Sequence, residues 1–237
     1  MQGVRSRFHQ ELDDLEQQLV AMGDLAAGAV RRAVQALVHR DAGLAAIVIE
    51  NDDEIDTLYL DLERRILDLL ALQTPVASDL RLVSVMMHTN LHLERVGDQA
   101  VNVAKLTLAT EGLPTDATIL SHLEEMGETA VRMLRTAIRA LARRDLGLAL
   151  KLPEMDDPLD VLNRNMYRHV VALAEDPAKL EWGVRMELVS RQLERVGDHA
   201  VDIGEQVSFL LTGEFHEFSD ASHDIAPVSI LPDTLRG

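Results

Sequence analysis

Pairs of acidic residues four positions apart recur along this chain. The segment LERVGD occupies residues 93–98 and again 193–198, so Glu94 and Asp98 are matched by Glu194 and Asp198. Positions i and i+4 lie on one face of an α-helix, about 6 Å apart along its axis. Like charges at this spacing destabilise a helix by about 0.2–0.5 kcal/mol per pair. Two such pairs at equivalent places predict a compensating cation.

A second acidic set precedes each copy of LERVGD. Asp52 and Asp56 have the same spacing, as do Asp156 and Asp160. If each set lies on a helix antiparallel to the LERVGD helix that follows it, the residue counts to the intervening turn place both sets at nearly the same height. Hard or borderline cations such as Fe, Mn, Mg or Ca suit four converging carboxylates. One turn beyond the LERVGD acids are two further candidate ligands, Asn102 and Asp202.

Other interpretations of these residues compete with metal binding. Acid pairs on helices usually form a solvated face, and Arg95 and Arg195 are close enough in sequence to neutralise them. Gly97 and Gly197 each cost a helix interior about 1 kcal/mol, which indicates close approach by another helix, a ligand or a partner.

Histidines give a weaker indication of zinc. His88 and His92 have i,i+4 spacing, but the second copy has Leu188 and Gln192 at these positions. His199 is likewise matched by a glutamine in the first copy. We therefore expect these histidines not to be ligands. The chain also lacks a Glu-x-x-His motif on these helices, a P-loop, a dinucleotide fingerprint and a nucleophile elbow.

Composition narrows the class of protein. Hydrophobic residues make up 47% of the chain but aromatic residues only 3%, which favours helices packed on helices over a sheet. The net charge of −17 disfavours binding to nucleic acid or anionic lipid. Cysteine is absent, which excludes disulfides and thiolate metal sites. The chain shows neither a signal-peptide core nor an apolar run of membrane-spanning length, so we expect a cytoplasmic protein without membrane insertion.

The chain is an internal repeat. A shift of 104 residues aligns the early parts of the two copies, and a shift of 100 aligns the LERVGD segments. We predict an all-α protein of two tandem three-helix bundles, with domains at 1–112 and 113–213 and an irregular, mobile tail at 214–237.

Helical periodicity and capping residues predict three helices in each repeat. Asp41 and Ser78 are the expected N-caps of the second and third helices. Pro158 predicts either a late start or a kink in the middle helix of the second repeat. The predicted helices are 8–38, 42–72 and 79–108 in the first repeat, and 117–143, 146–174 and 178–211 in the second.

These motifs resemble those of the PhoU family of bacterial regulators, over about residues 6–213. The resemblance is carried by the Glu-Arg-Val-Gly-Asp cores at 94–98 and 194–198, by ASDLRLV at 77–83, and by the acidic stretches at 52–56 and 156–160. It implies metal binding, as multinuclear iron or as zinc and other divalent ions. The implied ligands are Glu94, Asp98, Glu194 and Asp198, with Asp52, Asp56, Asp156 and Asp160 as their partners. Asn102 opposite Asp202 implies two unequal sites.

The resemblance also implies regulation without catalysis. PhoU-like proteins help to shut off the phosphate-starvation response, as a link between the ATPase subunit of the phosphate ABC transporter and a membrane sensor histidine kinase. We therefore expect these two partners, and a homodimer. The competing hypotheses are a carboxylate-bridged metalloenzyme and a metal-storage bundle.

Overall fold

The computed structural model describes residues 2–73 and 75–218, and within these ranges the chain is helical without any β-strand. This confirms the predicted all-α class. The helices of the described chain are α1 Gln2–His39, α2 Ala42–Glu50, α3 Asp52–Gln73, α4 Ser78–Ala109, α5 Ala117–Arg143, α6 Leu146–Ala149, α7 Leu152–Val171 and α8 Pro177–Thr212.

The two LERVGD helices, α4 and α8, pack against each other at the junction of the repeats. Alongside them α1 packs on α5, so these four long helices form the inner layer of the molecule. Helices α2 and α3 cover the α1–α4 side, and α6 and α7 cover the α5–α8 side. A single apolar core of Leu, Val, Ile, Ala and Met runs through both repeats. The bundles therefore share their interior.

The middle helix of the first repeat is broken, where the sequence predicted one helix. Asp41 caps its start as expected, since its carboxylate accepts a hydrogen bond from the Leu44 N–H at 2.9 Å. The helix then stops at Asn51, and α3 begins with three acids, Asp52, Asp53 and Glu54. Negative charge stabilises the positive end of a helix. This run of acids is therefore better placed at a new N-terminus than inside a continuous helix.

The middle helix of the second repeat is also broken, at a place the sequence analysis did not identify. Helix α7 starts at Leu152, so Pro153 occupies its first turn, where the missing N–H costs nothing. Pro158, the expected start or kink, lies inside the helix. Its ring nitrogen cannot donate to the Glu154 carbonyl. Helix α7 also ends at Val171, three residues before the predicted end.

Helix α4 begins differently from the prediction. Ser78 is its first residue, and the preceding Ala77 has a φ of 48° and makes no side-chain capping bond. Helix α8 ends before Gly213, as predicted, and that glycine has a φ of 78°. Residues 214–218 are irregular, and the rest of the predicted tail, 219–237, lies outside the described residues. Within the described chain, no helix is sufficiently long and apolar to span a membrane.

Candidate functional site

The first acidic cluster forms where α3 meets α4. A methyl group placed on Gly97 would lie 3.3 Å from Asp52 Oδ1 and 3.2 Å from a terminal carbon of Ile55. The glycine thus lets the first turn of α3 approach the α4 backbone. This contact brings Asp52 and Asp56 beside Glu94 and Asp98. The convergence predicted from the residue counts is therefore present in this repeat.

Two carboxylates of this cluster, those of Asp52 and Glu94, have raised pKa values. Burial, together with the negative charges of Asp56 and Asp98, raises the pKa of Asp52 to about 6. Burial likewise raises the pKa of Glu94, with Asp98 and Asp56 as the next causes. Arg95 lowers the Glu94 pKa, but by less than these acids raise it. A cation bound among these carboxylates would relieve this repulsion.

The second cluster has the same design and is more deeply buried. Asp156 lies against Gly197 as Asp52 lies against Gly97, and a methyl group on Gly197 would be 2.6 Å from Asp156 Oδ1. Asp156 and Asp160 are only 7% and 6% exposed, whereas Asp56 is exposed. Glu194 and Asp198 flank Gly197 on α8 and are half-buried. Two carboxylate clusters of unequal burial result, and their role as metal sites stays a prediction.

The glycines give a prediction that distinguishes the clusters. Alanine at position 97 meets neighbours at 3.2 Å or more, whereas alanine at 197 would be 2.5 Å from the buried Leu159. Alanine gains about 1 kcal/mol of helix propensity over glycine, and overpacking costs about 1–3 kcal/mol. We expect Gly97→Ala to be near neutral and Gly197→Ala to destabilise by about 1–2 kcal/mol, measured by urea unfolding in chelator. Equal effects of the two substitutions would contradict this account of the glycines.

Asn102 and Asp202 make contacts between the two repeats, and their role as metal ligands of the carboxylate clusters stays a prediction. They face the contact between α4 and α8, where the Asn102 amide donates to Gln192 Oε1 at 3.4 Å. Asp202 Oδ2 lies 3.4 Å from His92 Nδ1, at the opposite end of the contact. Rising numbers on α4 pair with falling numbers on α8, so the two helices run antiparallel. Residues 102 and 202 therefore belong to the junction between the repeats.

Two histidines that were not expected to be ligands meet the candidate ligand Asp202 at this junction. His92, His199 and Asp202 place one ligand atom each within 4.8 Å of one another. Among the described residues, no other group of three His, Asp or Glu side chains has ligand atoms this close together. This holds for the acids of the two carboxylate clusters as well. Burial lowers the pKa of His92 to about 4, although the Asp202 carboxylate opposes this effect. His88, which has i,i+4 spacing to His92, lies outside this cluster and contacts the Ser84 carbonyl.

The sequence contained a signal for this cluster. In an antiparallel pairing that places positions 97 and 197 at the same level, position 92 of the first LERVGD helix matches position 202 of the second. At equivalent positions of the two repeats each histidine is unmatched. The two histidines come together only when positions that face each other across the pseudo-twofold contact are compared.

Comparison with known proteins agrees with the family resemblance carried by the sequence motifs. The family model of the PhoU domain matches residues 19–107 and 123–207, one match in each repeat. The chain is 34% identical over 213 residues to the phosphate-specific transport system accessory protein PhoU homolog of Pseudomonas aeruginosa. That alignment covers 89% of this chain and 87% of the relative.

Solved structures are similar along most of the chain. The crystal structure of PhoU from Pseudomonas aeruginosa superposes with a TM-score of 0.82 at 35% identity, covering 87% of this chain and 100% of that one. The phosphate transport system regulatory protein PhoU from Streptococcus pneumoniae gives a TM-score of 0.81 at 28% identity, covering 89% and 100%.

Proposed function

The chain belongs to the PhoU family, and we propose that it regulates phosphate uptake and the phosphate-starvation response. In this proposal it is a metal-binding adaptor between the ATPase subunit of the phosphate ABC transporter and a membrane sensor histidine kinase. It restrains the starvation response when phosphate is plentiful. The family match confirms the resemblance to the PhoU family that the sequence motifs indicated. The prediction that the chain is not an enzyme is confirmed as well, since its relatives are accessory and regulatory proteins.

The observation that carries the metal half of the proposal is the repeated carboxylate cluster. In each repeat a mid-helix glycine on the LERVGD helix receives an aspartate from the middle helix, Asp52 on Gly97 and Asp156 on Gly197. A glycine that costs helix propensity is used twice to bring acids together. Oxygen ligands suit Fe, Mn, Mg and Ca, and the family resemblance adds Zn.

Metal binding supplies a physical route to partner binding. A cation in the first cluster would cancel negative charge on the surface formed by α3 and α4, where Asp56 and Asp98 are exposed. It would also hold the first turn of α3 against α4. We place the partner-binding surface next to the first carboxylate cluster, because the second cluster is more buried. A homodimer stays a prediction.

Affinity capture from native cells tests the adaptor. We expect the tagged full-length protein to retain the transporter ATPase subunit and the sensor kinase from cells grown in rich phosphate. The Glu94→Ala/Asp98→Ala variant should retain less of both, since it lacks ligands of the exposed cluster. The matched control is Asp13→Ala/Asp14→Ala, which removes two exposed acids from α1. Equal retention by all three proteins would contradict a role for this cluster in partner binding.

A further inference from the structure

We propose that His92, His199 and Asp202 bind one Zn²⁺ ion that links the two repeats. The site lies at the contact between the two repeats, and it does not depend on the function proposed above. It joins α4 of the first repeat to α8 of the second.

The spacing of the three ligand atoms carries this inference. His92 Nδ1 lies 3.3 Å from His199 Nδ1 and 3.4 Å from Asp202 Oδ2. The third side, from His199 Nδ1 to Asp202 Oδ2, is 3.5 Å. Ligands at 2.0–2.1 Å from a tetrahedral zinc ion are about 3.3–3.4 Å apart. The triangle thus has the dimensions of one face of a zinc tetrahedron.

Hydrogen bonding alone explains this triangle poorly. One N–H proton can form a hydrogen bond along only one side of the triangle of ligand atoms. If both imidazoles donate to Asp202, the two Nδ1–H groups lie next to each other, with the nitrogens 3.3 Å apart. A cation, by contrast, can accept a lone pair from each of the three ligand atoms at once. All described polar contacts of His199 are made by its Nδ1 within this cluster, and its side chain is only 9% exposed. This imidazole is therefore buried with its polar contacts directed into the proposed site.

The donor set selects the type of metal. Two imidazole nitrogens and one carboxylate oxygen suit Zn²⁺, whereas Mg²⁺ and Ca²⁺ prefer oxygen ligands alone. The His92 side chain is 13% exposed and that of Asp202 is 44% exposed. The site consequently opens to solvent on the Asp202 side. A water molecule or a side chain of a partner protein can take the fourth position there.

The other end of the α4–α8 contact provides an internal comparison. The residues equivalent to His92, His199 and Asp202 under the 100-residue shift are Gln192, Gln99 and Asn102. Amides fill the pseudo-equivalent positions, and Asn102 there donates to Gln192. The same helix contact thus folds with three amides at one end and three metal-ligating groups at the other. Substitution by the equivalent amides therefore keeps side chains that this contact already accommodates.

The experiment is a metal titration of the full-length protein after treatment with chelator. Co²⁺ serves as the spectroscopic probe and Zn²⁺ as the competitor, in excess Mg²⁺ that occupies oxygen-only sites. We expect one Co²⁺ per chain with the visible absorption of tetrahedral coordination, displaced by one Zn²⁺. Loss of an outer-shell partner alone weakens metal affinity 10–100-fold, so His199→Gln should weaken it by about 100-fold or more. The triple variant H92Q/H199Q/D202N should abolish it.

Two controls assign the result to this site. Glu94→Ala/Asp98→Ala should keep the tetrahedral Co²⁺ signal, since those acids belong to the first carboxylate cluster. Circular dichroism and thermal melting in chelator establish that each variant is folded. If His199→Gln does not fold, His92→Gln replaces it as the single variant. Zn²⁺ at about 100 times its dissociation constant should raise the Tm of the wild type by about 5–10 °C and leave the triple variant unchanged. The proposal is overturned by octahedral Co²⁺ in the wild type, or by unchanged affinity in the triple variant.

Discussion

Cells that carry a Glu94/Asp98/Glu194/Asp198→Ala variant in place of the wild-type protein should express phosphate-uptake genes in rich phosphate as strongly as cells without the protein. The variant removes two proposed ligands from each carboxylate cluster. It also removes the two i,i+4 acid pairs, so the metal-free variant should be at least as helical as the wild type. A reporter of phosphate-uptake genes in rich and poor phosphate measures the effect.

The matched control removes the same charge elsewhere. A quadruple variant of four exposed acids outside both clusters should restore repression; the four substitutions are Asp13→Ala, Asp14→Ala, Asp68→Ala and Glu175→Ala. Full repression by a folded cluster variant without bound metal would refute the metal part of the proposed function. Normal repression in cells lacking the protein would refute the regulatory part and favour a metal-storage role.

Asp52→Asn should change the stability of the protein in opposite directions with and without metal. Without metal, Asp52 has a pKa of about 6 in the folded protein, well above its usual value, because it is partly buried among other acids. Its ionised form therefore destabilises the native state at pH 7. After allowance for solvent screening, removal of this charge should stabilise by about 1 kcal/mol, or about 2–4 °C in Tm. With a bound cation the same change removes a ligand and should lower the Tm.

The pH dependence provides a second measurement on the same variant. Because the folded pKa of Asp52 is raised to about 6, the native state binds more protons than the unfolded state between about pH 4 and pH 6. The destabilisation is complete above the folded pKa and is relieved as the pH falls. Metal-free wild type should thus gain stability on acidification from pH 7 to pH 5, relative to Asp52→Asn.

The control for this prediction is a distant residue of the same helix. Asp68→Asn changes the same charge on α3 at an exposed position, and should leave the pH profile and the metal effect as in the wild type. Differential scanning fluorimetry in chelator and with added Mn²⁺ measures both quantities. A lower Tm for Asp52→Asn in chelator would show that this carboxylate stabilises the fold without metal.

The sequence by itself determined the class of fold and the pairing of the acids. Apolar periodicity and the scarcity of aromatic residues are local properties, and they predicted helices whose observed ends mostly lie near the predicted ones. The repeat predicted that the acids would occur twice. Heights along antiparallel helices depend only on residue counts from a turn. Asp52 could therefore be placed beside the LERVGD helix without any knowledge of packing.

The breaks inside the middle helices could not be predicted from local sequence patterns. The acidic run at 52–54 favours a helix start, but acids also occur on the exposed face of a continuous helix, so this run alone does not predict the break at Asn51. The difference depends on how α2 and α3 each lie against α4. In the second repeat, Pro153 and Pro158 are both compatible with a helix start. In the structure the helix starts at Leu152, so that Pro153 lies in its first turn.

The tertiary structure alone decided which faces of α4 and α8 meet. That contact joins the two repeats, and its register depends on apolar packing between residues about 100 positions apart. It brings Asn102 to Gln192 and Asp202 to His92 at the junction of the repeats. The same contact brings His92 next to His199, although neither has a histidine at the equivalent position of the other repeat. A repeated sequence shows which residues recur, but residues that face each other across a pseudo-twofold contact need not be equivalent.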